Sequence, residues 1–167
     1  QLMPHMGLVD LEIFDHELAA RGFAVTHLLN PGSEELRQAA EAYDAMRGLK
    51  GNCALPLMAD ESCQVESDVD RCLDTFDAIN IKLVKCGGLT PARRMIARAK
   101  QNGLKVMVGC MTESSIGIAA GVHLLPLLDY ADLDGALLLA EDIAEGLHWE
   151  HGYCQLPQRA GLGVRLR

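Results

Sequence analysis

The chain has 167 residues, with 15 Lys and Arg against 23 Asp and Glu, a formal charge of −8. That length suffices for one domain with a real core, and the acidic balance argues against a nucleic-acid-binding face or attraction to anionic membranes. Apolar residues make up 49% of the chain and aromatics only 4%, so Ala, Leu, Val, Ile and Met must do the packing, as in an α/β protein.

No apolar run is long enough to cross a bilayer, and "QLMPHMGLVDLE" lacks the basic flank and apolar stretch of a secretory signal. The six cysteines form no C-x-x-C pair. Reduced thiols in a cytoplasmic protein are therefore expected, most of them acting as small buried hydrophobes.

In chain order, residues 7–20 read as a helix with an apolar face of Leu8, Leu11, Ile13, Phe14 and Leu18. Residues 23–29, "FAVTHLL", read as a strand and "NPGS" as a loop. Ser33 then caps a helix to about Arg47, with Glu34 and Glu35 in its first turn. "LPLMAD" at 55–60 is a short buried strand ending in acid, followed by a helix over 65–75. "AINIKLV" at 78–84 is the next strand. Gly87 and Gly88 turn the chain, Thr90 caps, and Pro91 suits the first helical position of a helix ending at "NG", 102–103. "KVMVGC" at 105–110 is a strand, 114–125 a helix, and "ADLDG" at 131–135 a strand end.

Strict alternation of strands and helices with short connections predicts parallel strands joined by helical crossovers. The strands are short and apolar, as expected when both faces are covered.

Polar residues recur at one end of these strands: Asp60 and Glu61, then Lys82, Glu113, and finally Asp132 with Asp134. In parallel α/β architectures ligands bind at the C-terminal strand ends. Side-chain alternation puts Lys82 on the face of Asn80, opposite Ile81 and Leu83, and puts Asp132 and Asp134 on one side. Asp60 can give a divalent cation such as Mg²⁺ a hard oxygen ligand. A lysine in a partly desolvated site can act as a base, and a cation on a substrate carboxylate acidifies the α-proton. Asp132 and Asp134 form an anionic pair suited to an ammonium group. Lys85, placed after the strand core, reads as a residue that only complements the loop.

The segments "LPLMADES", "AINIKLVKCGGLTPA", "VMVGCMTESSIGIAA", "YADLDGALLLAED" and "GLGVRL" resemble, in this order, the enolase superfamily. Within it the chain is similar to the muconate-lactonizing subgroup, most of all to the dipeptide epimerases. The resemblance covers residues 55–166. It implies an α/β fold, a partial (β/α)₈ TIM-like barrel, with Mg²⁺ as cofactor and proton transfer α to a carboxylate of a small dipeptide of the L-Ala-D/L-Glu type. It makes Asp60 a metal-binding carboxylate, Glu61 its supporting neighbour and Lys82 the catalytic acid/base. Asp132 and Asp134 match the D-x-D pair that holds the substrate's free amino group, and Cys110, Met111 and Glu113 would line the pocket. N-acylamino acid racemases and o-succinylbenzoate synthases of the same subgroup are the enzymatic alternatives. A catalytically silent fragment serving as an assembly module is the alternative from another class.

The family's K-x-K strand and early aspartate ligand have no counterpart here, and Leu29 in "THLLNPG" stands where a glutamate ligand would align. A closed barrel needs roughly 250 residues. The expectation is a single segment, residues 1–167, forming the C-terminal part of the barrel, with the capping domain and early strands absent. Its open edge would then be closed by a missing N-terminal half or by self-association.

Three other signals read as structural. His148 and His151 of "HWEH" fall on a solvated hairpin rather than on a metal-binding helix. "CGGLTP" is a tight strand-to-helix turn, and His123 lies on an apolar helix.

Overall fold

A computed structural model describes residues 24–25, 43–50, 52, 54–150, 153–155 and 159–167. The helix expected at 7–20, most of that at 33–47, Leu29 with Asn30 and Pro31, Cys53, His151 and Gly152 lie outside these residues.

The described elements are β1 (Ala24–Val25), α1 (Tyr43–Leu49), β2 (Leu57–Ala59), α2 (Val69–Cys72), β3 (Ala78–Lys82), α3 (Leu83–Cys86), α4 (Leu89–Gln101), β4 (Lys105–Gly109), α5 (Ser115–Val122), β5 (Tyr130–Ala131), β6 (Ala144–Glu145), β7 (His148–Glu150), β8 (Tyr153–Gln155) and β9 (Arg165–Leu166). Strands β1 to β5 form one parallel sheet in sequential order, with register Met58↔Ala78, Lys82↔Gly109 and Val108↔Ala131. The order never reverses, which distinguishes this winding from a doubly wound sheet and makes it an arc of a barrel. Antiparallel pairs β6–β9 and β7–β8 complete the chain, the second being the expected hairpin.

The register sorts side chains onto two faces. Leu57 and Ala59, Ile79 and Ile81, and Val106 and Val108 join the apolar core with Met95, Ile96 and Ala99 of α4 and Ile118 and Val122 of α5. Met58, Asn80, Lys82, Met107 and Gly109 fall on the other face, the one a barrel encloses. The helices therefore cover the first face and leave the second for chemistry.

Several boundaries differ from the sequence-based expectation. The helix expected at 65–75 is a 3₁₀ turn, Glu66–Asp68, followed by the single turn α2. Asp68 Oδ2 accepts bonds from the Gln64 and Val65 N–H groups at 3.0 and 2.9 Å, which starts the turn. Strand β3 ends at Lys82, and 83–86 coil into α3. Gly87 and Gly88, at φ +93° and +105°, let α4 start at Leu89 rather than at Pro91. Pro91 sits in the first turn, where its missing N–H leaves no intrahelical bond unmade. Strand β5 ends at Ala131, so "DLDG" follows the strand instead of lying on it.

Two aspartates pin the strands at their N-terminal ends. Asp77 Oδ2 accepts the Leu57 N–H at 2.8 Å, and Asp129 Oδ2 accepts the Val106 N–H at 2.9 Å. A third carboxylate ties the C-terminal segment to the helical layer. Asp142 Oδ2 accepts from the Ser115 N–H at 2.8 Å and its hydroxyl at 2.6 Å, while Oδ1 accepts from the Ala144 N–H at 3.1 Å. It thus caps α5 from outside the helix. Partial burial pushes this carboxyl up, but the bonds from Ser115 and Ala144 prevail and hold it below its ordinary pKa. Asp142→Ala is expected to lower unfolding stability by about 1–2 kcal/mol, read as a drop in urea midpoint; an unchanged midpoint would show that the cap is redundant.

Candidate active site

Strand alternation that sends Ala59 into the core turns Asp60 to the opposite face, and the same alternation in β3 brings Lys82 to meet it. Lys82 Nζ donates to Asp60 Oδ2 at 2.9 Å. The two side chains retain 12% and 6% of their exposure, so this is a buried ion pair. Glu61 and Lys85 complete a square: Glu61 Oε1 lies 3.9 Å from Lys82, Lys85 Nζ donates to Glu61 Oε1, and Lys85 lies 3.6 Å from Asp60 Oδ1. The expectation that Lys85 only complements the loop is corrected here. The turn of α3 swings its stem back over the end of β3, and its side chain is nearly as buried as that of Lys82.

The D-x-D segment arrives from β5. The Asp132 N–H donates to the Val108 carbonyl at 3.0 Å, extending the ladder one residue past the strand. Leu133 is buried in the core against Gly121, which leaves Asp132 and Asp134 on the other side. Burial first, then the neighbouring charge of Asp134, raise the Asp132 carboxyl to about 6. Lys82 works against that rise and Asp60 adds to it, so all four groups share one electrostatic environment.

Cys110 anchors this segment. The Gly135 N–H donates to its Sγ at 3.3 Å, and Asp134 Oδ1 lies 4.0 Å away. Burial and Asp132 push the Cys110 thiol up to about 12, so it is a neutral packing and bonding group rather than a nucleophile. A Cβ at position 135 would collide with the Met111 carbonyl, so the approach of the two segments demands glycine.

Met111 is 42% exposed beside this contact. Glu113 turns back on its own loop, where Oε1 accepts the Met111 N–H at 2.9 Å and the carboxylate packs over Gly117. Asp60, Glu61, Lys82, Cys110, Asp132 and Asp134 are thus gathered at one end, with Met111 at the rim and Glu113 folded onto the loop. A hollow of about 490 Å³ opens at the other end, among Lys50, Phe76, Asp77, Lys105 and Tyr130, remote from these acids.

Asp60 Oδ1 is buried with no hydrogen-bond partner, as is Asn80 Oδ1 on the same face. An orphaned carboxylate oxygen suits a hard cation. Among the described residues, no three His, Cys, Asp or Glu side chains converge as a complete metal site. Asp60 therefore fits as one ligand of a set and not as the whole of one. Asp60 was legible as a ligand candidate from its place at a strand end. Lys85 was missed, although its three-residue offset from Lys82 across a strand-to-helix turn was the available signal.

The model of the enolase C-terminal domain-like family matches residues 33–167. The chain belongs to that family. It is 57% identical over 138 residues to an L-Ala-D/L-amino acid epimerase of Maribacter sp., a match covering 81% of this chain and 41% of that protein. It superposes with TM-score 0.71 and 32% identity on a dipeptide epimerase of Cytophaga hutchinsonii solved with Mg and the dipeptide D-Ala-L-Val, covering 77% of this chain and 37% of that one. With the substrate-liganded L-Ala-D/L-Glu epimerase of Bacillus subtilis the TM-score is 0.73 at 25% identity, covering 89% and 42%. This member of the family thus spans about two fifths of the length of such relatives, and its sheet is part of an enolase-superfamily barrel. Among the described residues no helix is long and apolar enough to cross a membrane, and the five described cysteines are free thiols.

The raised pKa of Asp132 sets a pH signature. Its folded-state value lies above the ordinary 3.8, so its contribution to stability is complete below about 3.8 and is lost as pH rises through about 6. Compared with the native chain, Asp132→Asn should gain on the order of 2 kcal/mol of relative stability between pH 4 and pH 7. Chemical unfolding at the two pH values measures this, and a pH-independent difference would refute it.

Proposed function

We propose that this chain is the C-terminal barrel segment of a Mg²⁺-dependent dipeptide epimerase. The observation that carries this reading is the buried Lys82–Asp60 pair, 2.9 Å apart, sharing its environment with Asp132 and Asp134. Asp132 and Asp134 would receive the free ammonium of a dipeptide, which orients the chain and carries its α-carbon toward Lys82. Lys82 Nζ would take or return the α-proton on one face. The group acting on the opposite face would come from outside the described residues, because 1,1-proton transfer with inversion needs a donor on each side. Asp60, through Oδ1, which no hydrogen bond holds, would be one ligand of Mg²⁺, which when bound acidifies the α-proton of a carboxylate substrate. The edges of the described sheet, β1 and β5, would be closed by the rest of such a barrel or by a second copy of the chain.

The D-x-D pair favours substrates with a free amino group over N-acylated amino acids. This is tested by incubating the chain with L-Ala dipeptides in D₂O and Mg²⁺, and following deuterium at the α-carbon by NMR. Exchange is expected for free dipeptides, and Lys82→Ala should reduce it by about 10²–10⁴-fold. Exchange of N-succinyl amino acids in preference to dipeptides would overturn the D-x-D assignment. A folded chain that neither exchanges nor binds Mg²⁺ would favour the assembly-module reading.

A further inference from the structure

We propose that Lys85 is a positioning residue that withholds Glu61 from the cation, leaving Asp60 Oδ1 as the oxygen that this part of the site offers. The inference rests on the reading of Asp60 as a metal ligand. Glu61 directly follows Asp60, and its Oε1 sits 3.9 Å from the same Lys82 ammonium that pairs with Asp60, so both carboxylates occupy one small space. Glu61 is only 10% exposed, so water can solvate little of its charge. Lys85 holds it by a direct hydrogen bond. Asp60 differs from it: Oδ2 is held by Lys82, while Oδ1 has no hydrogen-bond partner and lies 3.6 Å from Lys85.

One ammonium therefore does two things. It occupies the competing carboxylate, and it places a positive charge beside the ligand oxygen, which weakens attraction for any cation. Both effects limit the site to a cation that needs few carboxylates. Mg²⁺ keeps several of its waters and uses one or two carboxylates, whereas Ca²⁺ takes six to eight oxygens and accepts bidentate ones. Lys85 thus biases the site toward the smaller ion.

The test is calorimetric titration of the 167-residue chain with MgCl₂ and with CaCl₂, independent of turnover. Lys85→Met keeps the apolar stem, removes the charge and frees Glu61. It should bind Mg²⁺ on the order of tenfold more tightly, the effect of one unit charge a few ångströms away, and should gain more for Ca²⁺ than for Mg²⁺. Lys85→Arg should retain the native preference. Left with only its 3.9 Å contact to Lys82, Glu61 also makes Lys85→Met less stable. The double variant Lys85→Met/Glu61→Gln should recover most of the melting temperature and lose the Ca²⁺ gain, which a residue with a purely structural role would not produce. Native-like or weaker cation affinity in a folded Lys85→Met chain overturns the inference while leaving Asp60 as a ligand. Absence of cation binding in the native chain and every variant ends both.

Discussion

Two carboxylates and two ammoniums buried in one space are tolerable only together. Each ion taken from water loses several kcal/mol of solvation even after the surroundings relax, and attraction between opposite charges repays this only when the geometry is close. Here Asp60 and Glu61 each lie within ion-pair distance of both Lys82 and Lys85. Removing any one leaves a charge of the opposite sign without its balance. The square also constrains the sheet. A slip of one residue between β2 and β3 would send Asp60 toward the face that carries Ala59, Ile79 and Ile81, and an unpaired carboxylate would enter an apolar core. The pairing Met58↔Ala78 is thus held by hydrophobic burial on one face and by charge balance on the other.

Asp132 and Asp134 change the balance of the site. Four carboxylates now face two ammoniums, and the excess is negative. Burial first, and then the neighbouring charge of Asp134, raise the Asp132 carboxyl above its ordinary pKa. Such a region attracts positive groups, and the proposed substrate and cofactor supply two of them, an ammonium and a divalent cation. The arrangement also explains why Cys110 serves as an anchor. A thiol among carboxylates stays protonated and adds no further negative charge, yet its sulfur still accepts the Gly135 N–H.

Much of this was readable before any coordinates. Alternating strands and helices gave the parallel sheet, because short crossovers leave few other topologies. Lys82 could be placed on the Asn80 face by alternation alone, and Asp60 marked a strand end by the apolar run that it closes. The misses share a cause. Lys85, the start of α4 and the position of "DLDG" all lie where a strand gives way to a turn, and there the period-two rule stops applying. Alternation beyond Lys82 predicts an extended Leu83–Val84, but two positive-φ glycines at 87 and 88 allow the backbone to coil at once, and the coil redirects Lys85. Glu113 illustrates the converse. The resemblance implied a pocket-lining residue, yet the backbone N–H of Met111, two residues away, is a partner close at hand.

The aspartates show why residue type alone could not locate the chemistry. Asp77 and Asp129 lie immediately before β3 and β5, and each accepts the backbone N–H of a neighbouring strand. Asp60 and Asp132 lie immediately after β2 and β5. At the start of a strand the neighbour's first N–H groups point outward without partners, so a carboxylate there is consumed by the backbone. At the strand ends where the chain leaves for the helical layer, the exposed groups are largely carbonyls, which a carboxylate cannot bond. An acid placed there must find a cation, an ammonium or a ligand instead. Asp60 finds Lys82 with one oxygen, while the other has the Lys85 ammonium 3.6 Å away but no hydrogen bond. The polarity of the parallel strand thus separates the acids that hold the sheet in register from the acids left free to bind.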